Sequence, residues 1–236
     1  TLRAMRTPVS VAYADVATNA LDIVYDQQQF LDGFMARLDG SKARPASIKL
    51  SAETGVTRVW PEIEPGLPPL LGRAMLASAG EPAARTFPGY EGAIRYRKPA
   101  LVEYPVFASL KIELFANDAL LAVPEVRAQL AGQIAGRYVL IGGDIVDYDR
   151  MLTPFSAFDD ETTASGALDV RPPGIEVHAA TIAQMLDGAR LPGPSPASLW
   201  AYAVLVVLAA ALTALLEMRS WTFAPLLLAL AGLFVG

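Results

Sequence analysis

The chain has 236 residues, a net charge of −5, one histidine and no cysteine. The lack of cysteine excludes disulfides, thiolate catalysis and Cys-ligated zinc, and the lack of any Lys/Arg cluster excludes a nucleic-acid surface, which needs a basic stripe. With the apolar C-terminal runs set aside, roughly 195 residues remain, enough for one sizeable α/β domain with its own core.

The opening TLRAMRTPVSVAY has no apolar run of the signal-peptide kind, so an exported domain would need a leader upstream of Thr1. Residues 9–16 and 20–25 are short, β-branched and aromatic around the polar Thr18-Asn19, which predicts a two-stranded hairpin. Pro45 opens residues 45–53 as the first turn of a short helix, and the four prolines of residues 61–69 mark a loop. Residues 92–96 read as a strand and residues 112–121 are ambiguous. Residues 124–135 read as a helix, with Pro124 in its first turn and Gly136 as its C-terminal cap.

Residues 137–141, RYVLI, form a continuous apolar run closed by Gly142-Gly143. The run predicts a strand buried on both faces, as in a parallel sheet. Residues 174–177, GIEV, predict a second short strand entering a helix over 178–186, with Glu176 outward by alternation. The fold expected is α/β with a mixed or mostly parallel sheet. Residues 138–141 and 175–177 are expected as neighbouring parallel strands that bring Gly142, Gly143 and Asp144 to His178.

Residues 192–196, PGPSP, read as a stiff linker to residues 199–216, LWAYAVLVVLAAALTALL, which hold no charge, Pro or Gly. Extended to Met218, this run reaches the roughly 20 residues that cross a hydrocarbon core of about 30 Å, with Trp200 and Tyr202 at the aromatic belt. After residues 217–220 a second apolar run, WTFAPLLLALAGLFVG, reads as another span still in progress at Gly236. The chain is therefore expected to belong to a longer protein. Arg219 between the runs places that link in the cytoplasm and residues 1–198 outside.

Asp144, Asp147 and Asp149 follow a predicted strand at its carboxyl end, where open α/β sheets bind ligands. Carboxylates so spaced, with backbone carbonyls, suit a hard cation, although the Gly and closing Glu of an EF-hand loop are missing. The alternative is a solvated turn whose charge Arg150 neutralises. Pro154 holds Thr153 extended and fixes the loop's exit. A single histidine excludes a His-based metal site; His178 either reports pH near neutrality or hydrogen-bonds a neighbouring loop. No G-x-S-x-G is present, and Ser156 or Ser165 beside one histidine is not a triad.

GRYVLIGGDIVDYDRMLTP (residues 136–154), PPGIEVHAATIAQMLDG (172–188) and the apolar runs after them resemble the CHASE2 domain. Arg137 stands where that family usually has Lys. Residues 11–25, 45–53 and 93–99 (AIRYRKP) are similar to it more faintly. The family's I-D-D-x-S portion has no counterpart, so Thr1 is expected to lie inside the domain. Residues 54–90 and 112–123 match nothing in the pattern, and residues 155–170, with Asp159, Asp160 and Glu161, resemble an insertion.

The resemblance implies an extracytoplasmic sensor domain over 1–191, a Pro-rich linker over 192–198 and transmembrane helices over 199–218 and 221–236. The implied location is the inner membrane, multi-pass, with the sensor in the periplasm. The implied output is a class III adenylate or guanylate cyclase, less commonly a histidine or Ser/Thr kinase or a diguanylate cyclase. Such outputs work as dimers, so a homodimer is expected, and Ala210 with Ala214 gives a small-xxx-small pair for close helix approach. An unidentified ligand or partner protein is expected outside. No catalytic residue or cofactor is expected in this chain, ATP and a divalent metal belonging to the cyclase domain. Candidate ligand or signal residues are Asp144, Asp147, Asp149, Arg150, Thr153 and His178. The competing readings are a metal-dependent envelope hydrolase using the acidic loop and a structural envelope module.

Overall fold

The computed structural model describes residues 5–13, 25–51, 55–62, 65–97, 106–143, 149–156, 171–191 and 195–215. The chain divides into two compact units, Thr1–Leu191 and Pro192–Gly236.

In the first unit β1 (Val9–Tyr13) and β2 (Ala43–Ser47) pair in parallel, Val9 opposite Ala43 and Tyr13 opposite Ser47. Parallel neighbours need a crossover rather than a tight turn, and this one carries α1 (Tyr25–Arg37). Tyr13 Oη donates to Asp32 Oδ1 at 2.6 Å, and Gln28 Nε2 donates to Tyr13 Oη at 2.9 Å, which ties α1 to the end of β1. β1 pairs with β2 and Tyr25 begins a helix, while the turn and the rest of the second strand of the expected hairpin, residues 14–24, lie outside the described residues.

β2 also replaces the helix expected from Pro45. A proline suits a helix's first turn, but burial against a distant partner decides here. Ala46 is 0% and Ser47 3% exposed, and Pro45 stands opposite Val11 in the ladder. Ser47 N–H then donates to Pro69 O at 2.9 Å, just before α2 (Leu71–Ser78). Residues 92–96 form no strand but a single antiparallel bridge, Ala93 with Val59. The ambiguous stretch folds as two short turns, α3 (Glu113–Ala116) and α4 (Asp118–Leu121), the latter capped by Asn117, whose Oδ1 accepts from Leu120 N at 3.1 Å. α5 (Pro124–Ile134) begins at its proline and ends before Gly136, whose φ of 68° only glycine adopts freely.

The centre of the unit is α6 (Gly174–Leu186), buried at Gly174 and at every residue from Val177 to Met185. Its alanines let neighbours approach closely. α2 does so at Gly72, where a Cβ would lie 2.9 Å from Met185 Cε and 3.0 Å from Ile182 Cγ1. Trp60, Leu76, Phe87, Ile94, Val177, Ala180, Ile182 and Met185 form the core cluster.

Both strands expected around this centre are corrected. Residues 174–177 are the first turn of α6, entered from Pro173 at φ −65° and ψ 151°. Four residues, one of them acidic, have no strand character without a ladder partner, whereas the helical period carries Val177, Thr181 and Gln184 inward together. Residues 137–141 form no strand either: Val139 is 47% and Ile141 77% exposed, and only Leu140 packs on the core. No strand lies beside them among the described residues. The expected meeting of the two segments survives in another form, since a Cβ on Gly142 would lie 2.6 Å from Ile175 Cδ1.

Gln184 is 1% exposed, yet its amide uses its full hydrogen-bonding capacity. Oε1 accepts from Trp60 Nε1 at 2.9 Å and from Arg95 N at 3.1 Å, while Nε2 donates to Ala93 O at 3.0 Å and Ala189 O at 2.9 Å.

The second unit contains α7 (Pro196–Leu215). It starts inside the stretch expected to be linker. Ser195 precedes Pro196, and Ser195 Oγ accepts from Ser198 N at 3.1 Å, a side-chain cap followed by a first-turn proline. Among the described residues no helix is long and apolar enough to cross a membrane. The described side chains of α7, residues 197–212, cover about 24 Å. Residues 216–236, including the second expected span, lie outside the described ones.

Replacing Gln184 by Met strands the four groups it satisfies. The expected loss is about 4 kcal/mol of unfolding free energy, read as a lowered urea midpoint of the chain in detergent micelles.

Candidate functional site

Of the acidic loop, Asp144 and Asp147 lie outside the described residues, and Asp149 sits half-buried at the start of α6. Gly174 N donates to Asp149 O at 2.8 Å and Met151 N to Pro172 O at 2.9 Å, so residues 149–151 run antiparallel to 172–174. A Cβ on Gly174 would lie 2.8 Å from Asp149 Oδ1. That close approach requires glycine, and it sets a carboxylate at the positive end of a 13-residue helix. Glu176, half-buried in the same first turn, adds to the effect rather than alternating outward on a strand. Arg150 Nη1 donates to Arg171 O at 2.6 Å.

Thr153 is 2% exposed and pairs with Ser156. Thr153 N donates to Ser156 Oγ at 2.8 Å, the two hydroxyls are 3.1 Å apart, and Ser156 N donates back to Thr153 Oγ1 at 3.3 Å. Ser156 therefore closes a turn around Pro154. The turn is anchored to the segment that carries Trp60 by Thr57 N, which donates to Leu152 O at 2.8 Å. Tyr96 Oη donates to Thr57 O at 2.9 Å, and burial raises its pKa. Among the described residues no three His, Asp or Glu side chains gather as metal ligands.

His178 is 7% exposed on α6. It donates a hydrogen bond to the Ile48 backbone, which favours the charged form, but desolvation outweighs this and lowers its pKa to about 4. A pKa so lowered favours the neutral imidazole at pH 7.

A second arrangement, which the sequence reading passed over, governs how the chain leaves the unit. Tyr90 Oη lies 2.9 Å from both Ala93 O and Leu191 O, can donate to one at a time, and accepts from Leu191 N at 3.0 Å. A Cβ on Gly92 would lie 2.7 Å from Leu191 O. Asp187 pairs with Arg97 at 2.6 Å and Arg95 at 3.4 Å. Arg190 lies over the Phe87 ring, 5.4 Å to its centroid, and Nη2 donates to Thr86 O. With Gln184 on Ala189 O, these contacts fix residues 187–191 to the body of the unit. The available signal was Gln184, a polar residue on the buried stripe of α6.

Because His178 holds fewer protons folded than unfolded, its contribution to stability is complete above pH 6.5 and is lost as pH falls from there to about 4. The loss is on the order of 3 kcal/mol. In His178→Gln the urea midpoint should fall less over this range than in the parent, and an imidazole titrating near pH 6.5 by NMR would contradict the assignment.

No curated protein and no solved structure matches. The CHASE2 domain matches residues 8–216, from β1 through α7. The chain belongs to the CHASE2 family of extracellular sensory domains.

Proposed function

We propose that this chain is the extracytoplasmic sensory region of a membrane receptor that relays its signal through transmembrane helices to a cytoplasmic class III adenylate or guanylate cyclase. The observation that carries the reading is the extent of the family match, which continues past the end of the first unit through α7. Domain and helix are matched as one piece.

The surface of α7 supports a lipid environment. Trp200 is 73%, Val207 66%, Leu208 58% and Leu212 56% exposed, and each such aliphatic side chain gains about 1.5–3 kcal/mol on leaving water. The sequence stays uncharged through Leu216, which extends the apolar run towards the roughly 30 Å of a hydrocarbon core. A second span over residues 221–236, joined by a link containing Arg219, gives a multi-pass inner-membrane protein with its sensor in the periplasm. The output domain, not this chain, supplies the ATP and metal sites. Two copies act together, since the output works as a dimer, and an event in the sensor reaches it as a displacement of residues 187–191 and of α7.

The topology is tested with alkaline phosphatase fused after Gly188 or after Ser220: the first fusion should be active and the second inactive, and the reverse pattern would exclude a periplasmic sensor. The output is tested in a strain without its own adenylate cyclase, where the full-length receptor should accumulate cyclic nucleotide. A receptor that instead phosphorylates itself on histidine would replace the cyclase reading by a kinase one. In a working receptor Tyr90→Phe, which removes the hydroxyl at Leu191, should change basal output severalfold with under about 1.5 kcal/mol lost in stability.

A further inference from the structure

The outer face of α1 is open. Tyr13, bound to Gln28 and Asp32, and the half-buried Leu31 and Met35 mark the face that α1 turns to the unit. On the other face stand Asp26, Phe30, Gly33, Phe34 and Arg37, spaced i, i+4, i+7, i+8 and i+11, which the helical period sets in one stripe. Phe30 is 72% exposed, Asp26, Gly33 and Arg37 are exposed, and Phe34 is half-buried. The two rings stack with centroids 6.4 Å and planes 12° apart, a flat apolar plate in the middle of the stripe. Beside it a Cβ on Gly33 would meet nothing within 4 Å, so another backbone can approach there.

The charges of the stripe stand at its two ends. Asp26 lies in the first turn and Arg37 in the last, about 16 Å apart along the axis. The midpoint between them and the midpoint between Phe30 and Phe34 agree to about half a residue, under about 1 Å of rise. A two-fold axis through that point therefore satisfies rings and charges together. An antiparallel copy lays ring plate on ring plate and brings Arg37 of each helix to Asp26 of the other, the self-complementary form of a two-fold contact. A parallel copy would set Asp26 against Asp26 and Arg37 against Arg37, which like-charge repulsion disfavours.

We infer that α1 pairs antiparallel with α1 of a second copy across this face. The rings supply the apolar surface to be buried, while exposed ion pairs add little strength and select the orientation. α1 is about 20 Å long, and a pair of such helices falls below the roughly 1,200 Å² of a stable interface. The contact is therefore a secondary one, made by chains already held in the same bilayer at a high effective concentration. The inference deepens the proposal that two copies act together, and it rests on that proposal for this concentration.

The chain has no cysteine, so Gly33→Cys introduces a single thiol, probed with a short bismaleimide on the full chain in lipid vesicles. Cross-linked dimer should exceed that of Ala36→Cys, an exposed position off the stripe, by roughly fivefold or more. On the Gly33→Cys background Phe30→Ala, Asp26→Arg or Arg37→Asp should each lower the yield about threefold. Mixing the Asp26→Arg chain with the Arg37→Asp chain should restore it, because the mixture pairs opposite charges again. None of these side chains belongs to the core, so the variants keep the fold. A yield no higher than at Ala36→Cys, or one indifferent to the charge variants, would overturn the pairing. A cross-linked species of another mass, formed by the full-length receptor in its own membrane, would give the face to a different protein and overturn it as well. In a receptor that makes cyclic nucleotide, absence of the cross-link removes the contact alone. The cross-link formed as described in a chain that fails the topology test supports the contact and counts against the receptor reading.

Discussion

The side-chain amide of Gln184 connects segments that no sheet connects. The first unit's described sheet has two strands, so residues 57–60 and 90–95, which cross the core, are joined by only a single bridge and a few backbone bonds. Burying an amide without partners costs several kcal/mol; satisfied on both atoms, it becomes a local substitute for a ladder. Gln184 sets the height of Trp60 on α6 and, through Ala93, the path of the chain after Tyr90. The aromatic group of Trp60, Phe87 and Tyr90, with centroids 5.1–5.8 Å apart, then packs around a fixed point.

This explains which features could be read from sequence. α5 was legible because its signals are local, a proline at the first turn and a glycine just past the end. The family motifs were legible as strings, and the segments they mark, residues 140–142, 149–154 and 172–178, do lie together. Their secondary structure was not. RYVLI and GIEV are short enough to serve as strand or helix, and the choice falls to distant partners: α6 continues because its inward stripe extends past Val177 to Thr181 and Gln184, while RYVLI finds no strand to pair with among the described residues. Pro45 misled for the same reason, its partner Val11 lying 34 positions upstream.

The candidate site divides in the same way. Thr153 and Pro154 were legible as a backbone device, and their partner Ser156 completes the turn. Asp149 was read as a possible cation ligand, and the structure sets it against Gly174 at the start of α6, a position that a helix dipole favours without any ion. Asp144 and Asp147 lie outside the described residues. The hold on residues 187–191 had no motif to announce it, because it is made by scattered residues of the stretch 86–97 together with Gln184, and only folding brings Tyr90 to Leu191, 101 positions apart.

The contacts that hold this exit differ in strength, and the difference bears on how a sensor of this kind can move. Ala189 is bound by the buried amide of Gln184, whereas Leu191 is bound by a hydroxyl with two competing carbonyls in reach. The Asp187 pairs are exposed, with side-chain accessibilities of 34–49%, and such pairs contribute about 0–1 kcal/mol each. The compliant point of the unit therefore lies after Ala189. A ligand needs a differential affinity of only a few kcal/mol between two states to redistribute them, which matches the scale of the Tyr90 and Asp187 contacts and falls short of what displacing Gln184 would cost. Leu191 can therefore be released while α6 and the core stay as they are.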